Sequence, residues 1–247
     1  MTSTAIDTWR QRLAAGPLTL DGGLATALEA RGHDLSGKLW SARMLVDAPA
    51  ELAAVHRQYA QAGAAVVSTA SYQASRSGFV AAGLAASDAD QAIAASIAIA
   101  RESAGTAAIA ASIGPYGASL ADGSEYRGDY TVTRTQLRDF HAERLEVICA
   151  NSPDLLAFET VPALLELEVI NDLLTSDFTD IPAWVSMSAR DGEHISDGTP
   201  IAEASVLLSA PALVAIGVNC TKPEHITSLL NELAVSPLAK VAYPNSG

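Results

Sequence analysis

Cys220 is the side chain of this sequence whose position most clearly suggests chemistry. It follows Asn219 and an apolar run at 213–218, a pattern that is typical of a buried β-strand. A thiol at the tip of such a strand can be a metal ligand or a reactive group, and a buried cysteine without chemistry is the alternative. His225, at the start of the next helical segment, is a weaker candidate ligand. Cys149 falls inside a helical segment and is predicted to be a core residue.

Two carboxylates also stand at the ends of apolar runs. Asp21 follows the run at 18–20, and Glu159 follows the run at 155–158. Asp21 is either a turn residue that caps the next helix or an acceptor for a substrate ammonium or hydroxyl. Glu159 either caps or pairs with the helix predicted from Pro162, or it binds a substrate cation, because a bare buried carboxylate is too costly.

Polar side chains follow further predicted strands. Ser71, Tyr72 and Gln73 come after the run at 65–68, and Tyr116 comes after the run at 107–113. We expect these four side chains to line a substrate site. The long polar loop at 122–130 is predicted to shape that site or, alternatively, to be an ordinary surface loop.

The elements that position these residues alternate along the whole chain. The short apolar runs predicted to be strands are 18–20, 65–68, 107–113, 155–158, 183–187, 213–218 and 240–243. Seven βα alternations fit a doubly wound sheet or a (β/α)8 TIM barrel that lacks its last βα unit. Because nearly every strand ends in polar residues, as a barrel site requires, we predict the barrel. No linker divides residues 1–247, so a single domain is predicted.

Four helix beginnings are marked by capping residues or by proline. Asp47 is predicted to cap a helix with Pro49 in its first turn, and Thr133 with Gln136 forms a capping box. Pro162 and Pro223 are each predicted to open a helix.

Composition excludes several classes of partner. With a net charge of -13 and a pI near 4.6, the 247-residue chain has little to neutralise the phosphates of nucleic acid or anionic lipid. The polar N-terminus lacks a signal-peptide layout, and no apolar stretch reaches the length of a membrane span. We therefore expect a cytoplasmic protein whose two cysteines are free thiols and whose partners are small molecules.

Ordered motifs recur from Leu20 to the end of the sequence. They are Leu20-Asp21-Gly22-Gly23, Leu39-Trp40-Ser41-Ala42, Thr69-Ala70-Ser71-Tyr72-Gln73-Ala74, Gly114-Pro115-Tyr116-Gly117-Ala118, the loop at 120–130, Glu159-Thr160, Ser196-Asp197-Gly198-Thr199-Pro200, Gly217-Val218-Asn219-Cys220 and Tyr243-Pro244-Asn245-Ser246-Gly247. In these motifs the sequence resembles the homocysteine S-methyltransferases, and in particular the branch that uses S-methylmethionine as methyl donor.

The resemblance implies a zinc-dependent barrel enzyme. Its zinc would be held by three cysteines, of which Cys220 matches one. The other two are adjacent in a Gly-Gly-Cys-Cys motif that this sequence lacks, so we expect them beyond Gly247. Residues 1–247 are then a C-terminally incomplete barrel domain, which we expect to lack a competent zinc site and to be inactive in this form.

The resemblance also implies a reaction and its substrates. The zinc-bound thiolate of homocysteine would take a methyl group from S-methylmethionine, or from S-adenosylmethionine, to give methionine. Asp21 and Glu159 would hold the homocysteine ammonium, and Asn219 would be a further substrate contact. The alternatives are an amino-acid-binding barrel without catalysis and a fragment of a folate- or corrinoid-linked methionine synthase.

Overall fold

The computed structural model describes residues 4–35 and 39–245, which form an α/β fold with six parallel strands. The strands are β1 (Val66–Ser68), β2 (Ala108–Ile113), β3 (Leu155–Val161), β4 (Ala183–Met187), β5 (Leu213–Asn219) and β6 (Ala239–Tyr243). The helices are α1 (Ala5–Ala15), α2 (Leu24–Ala30), α3 (Met44–Asp47), α4 (Pro49–Gln61), α5 (Arg76–Ala81), α6 (Ala86–Ser103), α7 (Tyr116–Leu120), α8 (Arg134–Ala150), α9 (Leu164–Ser176), α10 (Ile201–Leu207) and α11 (Pro223–Glu232). Short 3-10 turns lie at Trp40–Arg43, Ser124–Tyr126 and Leu233–Val235.

The chain forms two compact units. The first consists of Met1–Gly16, Gly114–Ala142 and Ala157–Gly247, and the second of Pro17–Ile113 and Glu143–Leu156. Strand β3 begins in the second unit and continues into the first. The predicted end of the last strand region, Ser246 and Gly247, lies outside the described residues.

In the second unit, β1 pairs in parallel with β2, with Val66 opposite Ala108. The predicted strand at 18–20 is reduced to a single parallel bridge between Leu20 and Val66. In the first unit, β4, β5 and β6 follow one another as parallel neighbours. In neither unit does the strand order reverse, as the doubly wound alternative would require. The complete (β/α)8 barrel stays a prediction.

Strand β3 is longer than the sequence predicted. It was expected to end at Phe158, and it continues through Glu159 and Thr160 to Val161. The Glu159 side chain is only half-buried, so a charged residue is accommodated without ending the strand. Glu159 therefore lies within β3 rather than after it.

The helix ends confirm two of the four predictions in full. In the capping box of α8, the Gln136 N–H donates to Thr133 Oγ1 over 3.2 Å and the Thr133 N–H donates to Gln136 Oε1 over 2.9 Å. Pro223 is the first residue of α11. The predicted Asp47 cap is wrong, because Asp47 ends α3 and α4 begins after Ala48 without a side-chain cap.

Helix α9 begins two residues later than predicted, at Leu164 instead of Pro162. The N–H group of its first residue is capped by a side chain distant in sequence, since the Leu164 N–H donates to Asp197 Oδ2 over 2.7 Å. Asp197, and not Glu159, therefore binds the first N–H group of this helix.

The interior strands are buried throughout, as expected for parallel strands covered on both faces. Gly217 in β5 permits an unusually close approach to β6. A Cβ atom at this position would lie 1.7 Å from the backbone oxygen of Val241, which is far inside van der Waals contact. Gly217, two residues before Asn219, is thus required by the close packing of the β5 and β6 backbones.

Candidate functional site

Asn219 joins the ends of two strands in the first unit. Its Oδ1 accepts a hydrogen bond of 2.7 Å from the Thr160 N–H of β3, and its Nδ2 donates to Thr160 Oγ1 over 2.7 Å. The same Nδ2 lies 3.4 Å from Cys220 Sγ. Asn219 is 1% exposed, so the side chain is committed to these contacts. The structure confirms that Asn219 and Cys220 lie at the end of a buried strand.

The two residues bound by Asn219 have left-handed backbones. Thr160 has a φ of 61° and Cys220 a φ of 47°. A β-branched residue rarely adopts this conformation, and each such residue costs on the order of 1–3 kcal/mol. Strain of this kind persists only where surrounding contacts enforce it, and the Asn219 amide supplies those contacts.

The Cys220 thiol is half-buried and surrounded by polar groups. Burial raises its pKa above the ordinary value, and the nearby Glu159 charge acts in the same direction. Hydrogen bonds from Thr160, Tyr126 and Asn219 act against this rise. The net direction keeps Cys220 a neutral thiol at neutral pH, so its environment does not make it a nucleophile on its own.

Glu159 lies close to this group, as its charge acts on Cys220 and on Tyr243 at the end of β6. The Tyr243 hydroxyl and Ser186 Oγ are 2.7 Å apart, and Trp184 Nε1 donates to the same hydroxyl over 3.3 Å. Burial raises the pKa of Tyr243 well above its usual range. The first unit thus brings together Glu159, Asn219 and Cys220.

Tyr116 belongs to a different cluster of the first unit. Its ring contacts those of Tyr130 and Phe140, with centroid separations of 5.5 and 5.2 Å. Its backbone N–H donates to Glu166 over 2.7 Å. Glu166 is fully buried and also accepts from the Tyr130 hydroxyl and lies 2.7 Å from His141 Nε2. This cluster anchors both ends of the segment from Tyr116 to Tyr130.

In the second unit, Asp21 is bound by the end of β1. Its Oδ2 accepts from the Ser68 N–H over 2.8 Å and its Oδ1 from Ser68 Oγ over 3.2 Å. Burial raises the Asp21 pKa from 3.8 to about 7 despite these two donors. Helix α2 has Gly23 as its N-cap and no side-chain cap, so Asp21 does not cap it.

The turn after β1 contains the other three predicted residues of the second unit. Ser71 is buried, and its hydroxyl donates to the Ser112 backbone oxygen over 2.8 Å and lies 2.6 Å from Thr69 Oγ1. These contacts tie the turn to β2. Tyr72 and Gln73 lie half-buried in the same turn. As substrate contacts, all three stay predictions.

Several site residues were not singled out from the sequence. Tyr126 lies in the polar loop at 122–130, and its phenol hydrogen-bonds to Cys220. Thr160 and Glu166 were also missed. For Glu166 a signal existed, a carboxylate between leucines in a helical pattern, but its partners are distant in sequence. Cys149 was predicted as a core residue, and it is half-buried in α8 with a pKa raised to about 12 by burial.

Within residues 4–35 and 39–245, no three His, Cys, Asp or Glu side chains lie together in an arrangement that could hold a metal ion. His225 contacts Glu224 at 3.8 Å and joins no such group in these ranges. None of the helices in the described part of the chain combines the length and the hydropathy of a membrane span.

Parallel strands with polar side chains gathered at their carboxyl ends define an α/β enzyme whose site lies at the strand tips. A family model described as homocysteine S-methyltransferase matches residues 18–247. The homocysteine S-methyltransferase of Escherichia coli K12 is 45% identical over 93% of this chain and 78% of its own length. The YbgG protein of Bacillus subtilis 168, with the same activity in its name, is 44% identical over the same shares of the two chains. The chain belongs to the homocysteine S-methyltransferase family.

Solved structures agree with this assignment. The metallated form of the homocysteine methyltransferase MmuM from Escherichia coli superposes with a TM-score of 0.88, over 93% of this chain and 84% of that one. The apo form of the same enzyme superposes with a TM-score of 0.77 over 93% of this chain and 82% of that one. The fold of this chain is therefore that of a known methyltransferase.

Proposed function

We propose that this chain transfers a methyl group from S-methylmethionine to the sulfur of homocysteine, giving methionine. One observation supports the proposal. In this member of the family, Glu159, Asn219 and Cys220 meet near the ends of β3 and β5. S-adenosylmethionine is the second candidate donor, because it also carries a methyl group on a sulfonium.

The reaction is a displacement at carbon. The homocysteine sulfur attacks the methyl carbon, the bond between that carbon and the sulfonium sulfur breaks, and its electron pair stays on the departing sulfur. The leaving group is a neutral thioether, so no oxyanion develops and no oxyanion hole is needed. The attacking sulfur must first lose its proton to solvent, since an alkyl thiol with a pKa of about 8.5 is mostly protonated at neutral pH.

The proposed roles follow the chemistry of each side chain. Glu159 accepts the ammonium of homocysteine, because a half-buried carboxylate near the thiol can pair with a cation. Asn219 positions Cys220 and the end of β3. In the second unit, Asp21 remains our candidate acceptor for a substrate ammonium. Further candidate substrate contacts are Ser71, Tyr72, Gln73 and Tyr116.

The zinc centre implied by the resemblance requires three thiolates. The described residues supply Cys220 to such a centre, and they contain no group of three metal-binding side chains. They do not fit the centre by themselves, and we assign no chemical step to zinc. We propose Cys220 as one of its ligands in a chain that also carries the two adjacent cysteines, within a complete (β/α)8 barrel.

Methionine formation tests the proposed activity. The full chain encoded by the gene is incubated with homocysteine and either S-methylmethionine or S-adenosylmethionine, with added zinc, and methionine is measured by chromatography. We expect methionine from S-methylmethionine and its loss in Cys220→Ser. No methionine from either donor contradicts the proposal and favours the amino-acid-binding alternative. A requirement for methylfolate favours the methionine synthase alternative.

Zinc stoichiometry tests the assignment of the metal. We expect residues 1–247 to bind zinc weakly, since two of three thiolates are missing and such a centre is worth roughly 10–16 kcal/mol with all its ligands. Stoichiometric zinc bound by residues 1–247 would show that the ligand assignment is wrong.

A further inference from the structure

Glu125 is a buried carboxylate to which the proposed reaction has so far assigned no role. It lies in the 3-10 turn Ser124–Tyr126 and is 8% exposed. Its Oε2 is fully buried and has no hydrogen-bond partner among the described residues. A buried carboxylate oxygen without a partner is costly, and in native structures such an atom requires an explanation.

The arginine of the same loop is engaged elsewhere. Arg127 Nε donates to Asp129 Oδ2 over 3.1 Å, and its Nη1 donates to the backbone oxygen of Asp122 over 3.2 Å. Burial raises the pKa of the Glu125 carboxyl, against the lowering effect of its own backbone N–H. Asp122 adds a second negative charge nearby, and the charge of Arg127 acts in the opposite direction. Arg127 forms its ion pairs with Asp122 and Asp129, so no cation of the described residues is paired with Glu125.

The backbone places Glu125 beside the candidate site in the first unit. Its carbonyl oxygen accepts a hydrogen bond of 3.0 Å from Ser188 Oγ, and Ser188 directly follows β4. The next residue, Tyr126, hydrogen-bonds to Cys220 after β5. Glu125 is thus held by contacts on both sides to the carboxyl ends of two neighbouring strands.

We propose that Glu125 binds the positive charge of the methyl donor, and this inference rests on the proposed function. A sulfonium donor such as S-methylmethionine carries one positive charge on sulfur and a second on its ammonium. Glu159 is already assigned to the homocysteine ammonium, and the buried Glu166 is bound by Tyr116, Tyr130 and His141. Glu125 is a buried carboxylate beside the candidate site whose Oε2 has no partner among the described residues. The ligand class is therefore a sulfonium amino acid.

The charge of the donor changes during the reaction, and this predicts a kinetic signature. If Glu125 faces the sulfonium, its attraction is strongest for the bound donor and weakens as the methyl group leaves. An interaction that is stronger in the ground state than in the transition state lowers KM and also lowers kcat. Loss of the carboxylate should then raise the KM for the donor, raise kcat or leave it undiminished, and leave the KM for homocysteine unchanged.

Titration calorimetry tests the inference without requiring turnover. S-methylmethionine, S-adenosylmethionine and methionine are each titrated into the unmodified full chain and into Glu125→Gln. The matched control is Asp129→Asn, which removes a charge of the same sign from an exposed position of the same loop. Because glutamine retains the shape of glutamate and the Ser188 contact uses the backbone, thermal unfolding of Glu125→Gln should occur at or above the temperature of the unmodified chain.

We expect Glu125→Gln to weaken binding of a sulfonium donor about 10- to 100-fold, because the buried positive charge of the donor loses its contact with a carboxylate. The control should bind within about twofold of the unmodified chain, as expected for an exposed charge. If methionine binding is unchanged, the carboxylate faces the sulfonium; if it weakens equally, the carboxylate faces the ammonium. Both results support a cation site.

Two results would overturn the inference. One is equal donor affinity in Glu125→Gln and the unmodified chain, and the other is no binding of either sulfonium by the unmodified chain. Failure of the proposed function is separately visible. A chain that forms no methionine, but whose sulfonium binding falls in Glu125→Gln, contradicts the reaction and retains the cation site.

Discussion

The Asn219 amide should be a major contributor to the stability of the first unit. Replacement by alanine removes its hydrogen bonds to the Thr160 N–H and hydroxyl and its contact with Cys220 Sγ. Thr160 is 0% exposed, so its N–H would be left buried without the acceptor it now uses. An unsatisfied buried polar group costs about 1–3 kcal/mol, and the smaller residue leaves a void besides.

Relaxation of the backbone offsets part of this cost. Thr160 and Cys220 can leave the left-handed region once the amide is gone, which returns on the order of 1 kcal/mol. We therefore expect Asn219→Ala to lower the free energy of unfolding by about 3 kcal/mol. Urea denaturation followed by circular dichroism measures this change.

Two further variants make the test specific. Asn219→Asp retains an acceptor for the Thr160 N–H but loses the donor. Its loss of stability should therefore be smaller than that of Asn219→Ala when measured at a pH low enough to avoid repulsion from Glu159. Asn231→Ala, on the exposed surface of α11, should change stability by less than about 0.5 kcal/mol. An Asn219→Ala variant as stable as Asn231→Ala would refute the structural role assigned to the amide.

Three other substitutions follow from the same contacts. Gly217→Ala should prevent normal pairing of β6, because its Cβ would lie 1.7 Å from a backbone oxygen of that strand. Rapid amide hydrogen exchange in β6 would show this. Gly105→Ala has open space around its Cβ and adds only local backbone strain at a φ of 60°, so it should leave β6 protected. The pKa of Asp21 is raised by folding from 3.8 to about 7, so its proton is bound more tightly in the native state and stability should fall as pH rises between these values. Asp21→Asn should remove that part of the pH dependence in urea denaturation, and unchanged curves would contradict the raised pKa. Glu166→Gln should lower the free energy of unfolding by about 2 kcal/mol, since one of two buried acceptor oxygens becomes an NH2 group that faces donors. Glu168→Gln on the same helix should have little effect, and equal effects would show that burial is not decisive.

The sequence predicted the interior strands well because burial on both faces leaves a continuous apolar run. The run at 183–187 matches β4, and Cys220 lies after β5 as expected. Strand ends were harder to predict. At Glu159 the charge was predicted to end β3, but the side chain is only half-buried and the strand continues to Val161.

Contacts between distant segments explain what the sequence could not reveal. Thr160 is a β-branched residue in an extended run, and no local pattern predicts its left-handed backbone, which depends on an amide from β5. Glu166 acquires its partners from Tyr130 and His141. Such arrangements arise from tertiary contacts, while sequence patterns report mainly on local propensity and burial.

The amide bridge of Asn219 has a consequence for the entropy of substrate binding. Strands β3 and β5 are not neighbours in the sheet, and flat strands two positions apart would be separated by about 9.5 Å. A single side chain closes this separation, so the backbone must curve inward at the tips. Glu159 and Cys220 are then brought to a fixed separation while the protein folds. A ligand that contacts both groups finds them already ordered, and less of its binding energy is lost in immobilising the protein.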